Sequence, residues 1–139
     1  MNKLIKNQKG MTLVEIIIVV TILASLLAVL GQRVVNAQRK AMVKQAKIQI
    51  GELSKSLDMY FTDCGHYPDT NQGFAALAPG GEAGCSNWGP DPYINKIPKD
   101  PWGNTFSYYL EGSNYVIISY GADKKEGGSG YDADISSND

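Results

Sequence analysis

The order of apolar and polar positions divides the chain into an apolar N-terminal part, an amphipathic middle part and a mixed C-terminal part. The twenty residues from Met11 to Leu30 contain one charged side chain, Glu15, and follow a segment that carries Lys3, Lys6 and Lys9. At a helical rise of about 1.5 Å per residue, twenty residues cross the roughly 30 Å hydrocarbon layer of a membrane. The preceding lysines favour a cytoplasmic N-terminus. Residues 11–31 are therefore predicted to be a membrane-spanning helix that leaves the cytoplasm.

The next segment, residues 32–61, has the pattern of an amphipathic helix. It contains no proline, and apolar side chains recur with spacings of three and four: Val43, Ala46, Ile50, Leu53, Leu57 and Tyr60. Such a stripe is typical of a helix that packs on its own domain. The pattern predicts one helix of about 50 residues, roughly 75 Å long, from Met11 to Phe61.

The C-terminal part, residues 62–139, is predicted to be a globular domain. From Cys64 to Asn104 it is rich in glycine and proline, yet it carries large apolar residues: Tyr67, Phe74, Leu77, Trp88, Tyr93, Ile97 and Trp102. A flexible linker would not contain them, so we expect an ordered loop that covers the helix stripe. Phe74 to Ala78 fits a short helical turn.

Two strands are predicted after this loop, at residues 105–110 and 115–120. Glu111 to Asn114 joins them through a glycine-containing turn, as in an antiparallel hairpin. The predicted fold is therefore α+β, with a long N-terminal hydrophobic helix packed on a small antiparallel sheet.

The charge distribution changes the picture of the N-terminal half. The net charge is -1, but residues 1–60 carry nine Lys or Arg and three acidic residues, whereas residues 61–139 carry four and eleven. A basic half beside an apolar segment suits an anionic membrane surface. Nucleic-acid binding is disfavoured, because Tyr60 is the single aromatic residue of that half.

The two cysteines, Cys64 and Cys85, favour a disulfide over a metal site. Neither has a neighbouring His or second Cys at zinc-ligand spacing. Outside the cytoplasm, closing this loop would stabilise the domain by about 3 kcal/mol in the chain-entropy model. The alternative is a pair of buried free thiols.

Glu15 discriminates between three interpretations of the N-terminal segment: a secretory signal peptide, a plain membrane anchor and a pilin-type leader. A signal peptide would have a shorter apolar region and a small-x-small cleavage site. An anchor would gain nothing from a carboxylate, which costs up to about 3 kcal/mol deep in a membrane. Glu15 could instead favour the positive end of the helix dipole, which is worth at most about 1 kcal/mol.

The segment KGMTLVEIIIVVTILASLLAVL resembles the leader and N-terminal helix of type IV pilins and type II secretion pseudopilins. The resemblance implies that residues 1–10 are a leader that prepilin peptidase removes between Gly10 and Met11, followed by N-methylation of Met11. The new α-amino group can then neutralise Glu15 of an adjacent subunit. Met11 departs from the family, which more often has Phe there.

The C-terminal sequence GADKKEGGSGYDADISSND combines glycines with the acids Asp123, Glu126, Asp132 and Asp134. Convergent Asp oxygens suit calcium, although the spacing is not that of an EF-hand. On composition alone, a solvated acidic tail is an equal alternative.

Three further segments, YPDTNQGFAAL, KIPKDPWGN and SYGADKKEGGSGYDADI, resemble those of type II secretion major pseudopilins. In that family the C-terminal loop binds one calcium ion. The resemblance implies Asp123 and Asp132 as ligands, then Asp134, with the carbonyls of Tyr120 and Ser129; Glu126 is a further candidate. Residues 80–86 lie outside the family pattern, so a bridge between Cys64 and Cys85 would be a local feature of this chain.

The resemblance implies a structural role in secretion. The chain would be the major subunit of a pseudopilus, a homopolymer that grows from the inner membrane into the periplasm and drives folded proteins across the outer membrane. The implied partners are minor pseudopilins, prepilin peptidase and the inner-membrane assembly platform. The alternatives are a type IV pilin or minor pseudopilin for adhesion, DNA uptake or filament initiation, and an anchored calcium- or ligand-binding module that never polymerises.

Catalysis is not expected. His66 is the single histidine and lies in the turn-like sequence CGHYP. GGSGY matches only half of a G-x-S-x-G nucleophile elbow, since Tyr131 replaces the last glycine. The sequence has no phosphate loop, dinucleotide-binding fingerprint or HExxH motif.

Overall fold

The computed structural model of the chain describes residues 10–81 and 84–139. Most of the leader, residues 1–9 with its three lysines, lies outside the described residues. The chain divides into two compact units, one ending at Gln38 and one comprising Arg39–Asp139. The elements are helix α1 (Leu13–Cys64), strands β1 (Ser107–Glu111), β2 (Asn114–Ser119) and β3 (Ile135–Ser136), and two 3₁₀ turns at Gly73–Leu77 and Gly130–Asp132. The predicted α+β fold with a long N-terminal helix is confirmed.

Helix α1 begins at a capping box. The Thr12 amide donates a 2.7 Å hydrogen bond to Oε2 of Glu15, and the Glu15 amide donates to the Thr12 hydroxyl at 3.3 Å. This reciprocal pair satisfies two amides that a helix start leaves free, so the helix begins at Leu13 rather than Met11. The first unit contains an exposed segment long and apolar enough, by length and composition, to cross a membrane.

The far end of α1 lies three residues beyond the predicted end. The Gly65 amide donates a 2.7 Å hydrogen bond to the Phe61 carbonyl, and Gly65 has a φ of +76°. A residue in this left-handed conformation closes a helix, and glycine adopts it without a Cβ clash. The cap thus explains why the helix includes Cys64.

The core of the second unit lies along the predicted stripe of α1. Ala46, Leu57 and Tyr60 are fully buried, and Ile50 and Leu53 nearly so. The core residues that cover them are Phe74, Ala76, Leu77, Phe106, Tyr108, Ile117 and Ile135. Each large apolar side chain of this kind contributes about 1.5–3 kcal/mol when fully buried.

The sheet is antiparallel with the order β1-β2-β3. Glu111 pairs with Asn114, so the hairpin turn is the two residues between them rather than the four predicted. Gly112 has a φ of +64°, which suits a tight turn of this kind. Thr105 belongs to an isolated bridge with Lys99 and not to the first strand. The sequence pattern did not predict β3, because two residues are too few for a periodicity.

The glycine- and proline-rich loop is held by hydrogen bonds to the first 3₁₀ turn, which forms one residue earlier than predicted, at Gly73–Leu77 rather than at Phe74 to Ala78. The amides of Tyr93 and Ile94 both donate to the Leu77 carbonyl, and the Trp88 indole donates to the Ala76 carbonyl at 2.8 Å. The expectation that Ile97 covers the helix stripe is wrong. Residues 95–97 run along the outside of the domain, and Ile97 is 38 % exposed.

Candidate functional sites

The first candidate site is the start of α1. Gly10 and Met11 are exposed and precede the helix, and the Glu15 carboxylate lies over the Thr12 amide, one residue from Met11. Both bonds that the carboxylate accepts here use Oε2, so its second oxygen is not needed for the cap. The predicted cleavage site and the predicted assembly residue therefore lie at the same end of one helix.

The second candidate site is the loop between β2 and β3, which contains the five predicted calcium ligands. A Cβ at Gly128 would clash with the carbonyl oxygen of Asp132 and lie 3.4 Å from Oδ2 of Asp123. Because glycine lacks that atom, an Asp123 carboxylate oxygen and the Asp132 carbonyl can approach the same point. This brings together two residues that the sequence singled out, although Asp132 does so through its backbone.

Asp134 lies partly buried at the end of this loop. Its Oδ2 accepts a 2.9 Å hydrogen bond from the Gly127 amide, which neighbours Gly128. Its Oδ1 is buried without a hydrogen-bond partner among the described residues. A buried carboxylate oxygen normally has a donor or a cation beside it, so this atom is available to a ligand.

The remaining predicted ligands lie close by in the chain. Ser129 and Asp132 line a cavity of about 340 Å³ together with Arg39, Trp102 and Tyr131. The Tyr120 hydroxyl lies 3.2 Å from that of Tyr109. That hydrogen bond is the largest cause of a raised pKa at Tyr120.

These donors fit a hard cation in chemical type. Within residues 10–81 and 84–139, no three His, Cys, Asp or Glu side chains converge on one point. Calcium, however, takes six to eight oxygens and accepts backbone carbonyls among them. The carboxylates of Asp123 and Asp134 with the carbonyl of Asp132 match that preference, and the ligand set stays a prediction.

The disulfide candidates meet at the C-terminal end of α1. Cys64 is the last residue of the helix, and it is bonded to Cys85 with a Cα–Cα distance of 5.4 Å. His66 lies two residues after Cys64, where its Nδ1 is 3.1 Å from the Tyr67 carbonyl oxygen and its ring packs against Tyr60 in a T-shaped arrangement. The histidine therefore has local packing contacts.

Sequence reasoning missed a buried polar pair, Asp100 and Ser119. Their side chains are 4 % and 0 % exposed, and Oγ of Ser119 donates a 2.8 Å hydrogen bond to Oδ2 of Asp100. The sequence feature that could have indicated Asp100 is the segment KDPWGN, in which an Asp precedes a Pro and a Gly, as in a turn. Its partner on β2 could not be inferred, because that contact depends on tertiary structure.

Comparisons with known proteins agree with this architecture. The family model described as type II secretion system protein G matches residues 33–138, and the prokaryotic N-terminal methylation motif matches residues 5–31. The chain is 43 % identical to type II secretion system core protein G of Pseudomonas aeruginosa, with 94 % of each chain covered. It is 37 % identical to the core protein G of Vibrio cholerae, covering 96 % of this chain and 93 % of that one.

A solved structure supports the same relationship. The crystal structure of the major pseudopilin from the type 2 secretion system of enterohaemorrhagic Escherichia coli is similar with a TM-score of 0.63 and 31 % identity. The match covers 73 % of this chain and 87 % of that one. With the family model and the relatives, it shows that this chain belongs to the type II secretion system protein G family.

Proposed function

We propose that this chain is the major structural subunit of a type II secretion pseudopilus, which polymerises into a periplasmic filament that drives export of folded proteins. The observation that carries the proposal is the match to protein G over residues 33–138, joined to a methylation motif over residues 5–31. The family match favours this function over a type IV pilin. The exposed apolar segment of α1 offers the surface through which identical subunits would pack.

Processing by prepilin peptidase would precede assembly. Cleavage between Gly10 and Met11 releases the leader and gives Met11 a free α-amino group, which is then methylated. Support comes from the exposed, non-helical chain at Gly10 and from the methylation motif that covers it. The peptide bond is thus accessible, whereas the helix that must remain intact begins at Leu13.

Glu15 would then pair with the α-amino group of Met11 in an adjacent subunit. An ionised carboxylate inside a bundle of apolar helices is costly unless a cation is close. The capping box holds the Glu15 carboxylate at the helix start with one oxygen. Its second oxygen is the atom that we assign to the ammonium of the neighbour.

The membrane topology that we propose rests on the same segment. Before assembly the chain would span the inner membrane once, with the basic leader in the cytoplasm and the second unit in the periplasm. The assembly platform of the inner membrane and the minor pseudopilins are the partners that this arrangement requires. The structural role needs no catalytic residue.

Calcium would stabilise the C-terminal loop. The ion would be held by Asp123, Asp132 and Asp134, with the carbonyls of Tyr120 and Ser129. Its positive charge would neutralise the carboxylates. The donor chemistry at Gly128 and the unpartnered Oδ1 of Asp134 support this site. In the filament, an ordered loop would keep the outer domain rigid.

The function is tested by replacing Glu15 in cells that lack their own protein G. We expect Glu15→Gln to give a chain that is cleaved and methylated at Met11 and stays in the membrane, but yields little sheared filament and little secretion. Glu52→Gln, at another exposed position of α1, is the matched control and should assemble normally. Filaments of wild-type abundance from Glu15→Gln would refute the pairing, and an intact leader in the wild-type chain would refute processing.

The calcium site is tested by the thermal midpoint of the full-length chain in detergent, with calcium and with a chelator. An ion at a hundred times its dissociation constant stabilises the folded state by about 2.7 kcal/mol. We expect Asp123→Asn to remove the calcium-dependent shift and Asp91→Asn, an exposed acid in another loop, to retain it. Equal midpoints for the wild-type chain in both conditions would show that the loop binds no calcium.

A further inference from the structure

A buried carboxylate connects the turn at residues 100–104 to the end of β2. Oδ1 of Asp100 accepts hydrogen bonds from the amides of Trp102 at 3.1 Å and Asn104 at 2.8 Å. Oδ2 of the same carboxylate accepts the 2.8 Å bond from Ser119. Asp100 therefore orders its own turn with one oxygen and holds β2 with the other.

The bond between Ser119 and Asp100 fixes which way the serine hydroxyl points. A hydroxyl has one proton, and an ionised carboxylate can only accept, so the proton of Ser119 is directed to Asp100. The lone pairs of Oγ are then free to accept, and the Gly121 amide donates to them at 3.4 Å. The two hydrogen bonds, from the Gly121 amide to Ser119 and from Ser119 to Asp100, form a relay. Its direction is set by the Asp100 carboxylate at its end.

The relay orients the peptide group that begins the C-terminal loop. The Gly121 amide and the Tyr120 carbonyl belong to one planar trans peptide, in which the N–H and C=O bonds point in opposite directions. Directing the amide toward Ser119 directs the Tyr120 carbonyl away from it. A Cβ at Gly121 would lie 3.1 Å from the Ala133 carbonyl oxygen, so this peptide also packs against the far end of the loop.

We propose that Asp100 is a positioning residue for the C-terminal loop, which acts through Ser119 to set the direction of the Tyr120 carbonyl as a calcium ligand. The inference rests on the calcium site proposed above. It assigns a purpose to a carboxylate that is nearly inaccessible to solvent and that, among the described residues, accepts its hydrogen bonds from neutral groups in its turn and on β2. The relay is distinct from the ligands themselves, because Asp100 need not touch the ion.

Trp102 provides a reporter on the same turn. Its amide is held by Asp100, and Trp102 lines the cavity that Ser129 and Asp132 also line. Terbium, a luminescent substitute for calcium, would be excited by energy transfer from this indole. Trp88 lies in an earlier part of the same glycine- and proline-rich loop, where its indole donates a hydrogen bond to the Ala76 carbonyl, so Trp88→Phe should retain the sensitised signal.

The experiment uses the full-length chain in detergent micelles, labelled with isotopic glycine, and the variants Ser119→Ala, Asp100→Asn and both together. The Asn side chain has an NH₂ donor as well as an acceptor oxygen. Its oxygen can still accept hydrogen bonds from the turn amides, but its NH₂ group reverses or weakens the relay. Ser56→Ala is the matched control, since Ser56 is a buried serine whose hydroxyl bonds the Glu52 and Tyr93 carbonyls instead.

Two readouts separate positioning from general stability. In calcium-free solution, exchange of the Gly121 amide with solvent should accelerate in Ser119→Ala and Asp100→Asn but not in Ser56→Ala. Terbium affinity, measured by sensitised luminescence and by competition with calcium, should fall about tenfold in both relay variants, which corresponds to about 1.4 kcal/mol. The double variant should lose little more than either single variant, because the two residues act as one unit.

The outcomes distinguish the relay from the calcium site. Unchanged Gly121 exchange, or unchanged terbium affinity in both relay variants, would overturn the relay. Losses in the double variant that equal the sum of the single losses would also overturn it. A wild-type chain that binds neither ion would instead overturn the calcium site, and with it the ligand role of the Tyr120 carbonyl, even if Gly121 exchange responds as expected.

Discussion

The hydroxyl of Tyr108 lies 2.7 Å from the carbonyl oxygen of Pro68, to which it donates a hydrogen bond across forty residues of sequence. Tyr108 is on β1, and Pro68 is a fully buried residue shortly after the end of α1. The bond thus attaches the sheet to the segment that leads into the first 3₁₀ turn. Burial is the main cause that raises the pKa of Tyr108 well above its ordinary value.

Tyr108→Phe is expected to lower the free energy of unfolding by about 1 kcal/mol at neutral pH, because it leaves the buried Pro68 carbonyl without its donor. It should also flatten the alkaline side of the stability profile. A pKa that is higher in the folded state contributes stability below the unfolded value of about 10, and this is lost as pH rises toward the folded value. Guanidinium denaturation from pH 7 to 11 measures both effects.

The control for this variant is Tyr131→Phe, since Tyr131 is 40 % exposed. It should leave the neutral stability nearly unchanged. If Tyr108→Phe shows the same alkaline decrease in stability as the wild-type chain, the buried hydroxyl is not a main source of that decrease.

The core stripe of α1 predicts a sharp contrast between two neighbouring positions. Leu57 is fully buried, whereas Met59, two residues later, is 50 % exposed. Leu57→Ala should lower the free energy of unfolding by about 2–5 kcal/mol through lost burial and a cavity. Met59→Ala should change it by less than about 0.5 kcal/mol. Comparable losses in denaturation experiments would mean that Met59 is covered in the folded chain.

The bridge between Cys64 and Cys85 should stabilise the second unit by restricting its unfolded state. The cysteines are 21 residues apart, and a loop of about this length contributes about 3 kcal/mol in the chain-entropy model. We expect the double variant Cys64→Ser, Cys85→Ser to unfold at a lower denaturant concentration and to be cleaved faster by protease. A reducing agent should destabilise the wild-type chain and leave the double variant unaffected; equal sensitivity of both would contradict a stabilising bridge.

The long helix and its buried face were predictable because they depend on local patterns. Spacings of three and four identified five of the six buried residues of α1; the sixth is Ser56, which is polar, and the predicted Val43 is only partly buried. Gly65 and the capping box account for the small shifts of the helix ends. The hairpin was predictable for the same reason. Its turn was placed too broadly, since Glu111 and Asn114 have polar side chains but pair as strand residues.

The elements that the sequence did not predict depend on contacts between distant segments. Strand β3 exists because Ile118 and Ser119 pair with Ser136 and Ile135, and two residues alone carry no pattern. The link from Asp100 to Ser119 has the same origin. In the C-terminal loop, composition indicated the acidic residues. Only the three-dimensional arrangement shows that Asp132 approaches Gly128 through its backbone carbonyl and not through its side chain.

Gly127 and Gly128 allow the geometry of this loop to be tested without any assumption about the ion. Both have positive φ, +95° and +87°, so alanine is strained at either position. A Cβ at Gly127 meets nothing within 4 Å, whereas one at Gly128 clashes with the Asp132 carbonyl.

Gly128→Ala should therefore lower the thermal midpoint of the calcium-free chain more than Gly127→Ala does. Gly127→Ala measures the backbone strain alone, and the difference between the two variants measures the close approach of Asp132. Because the clash displaces that carbonyl and crowds the Asp123 carboxylate, Gly128→Ala should also weaken terbium binding, while Gly127→Ala should largely retain it. Equal midpoints and equal affinities for the two variants would show that the Asp132 carbonyl does not lie against Gly128.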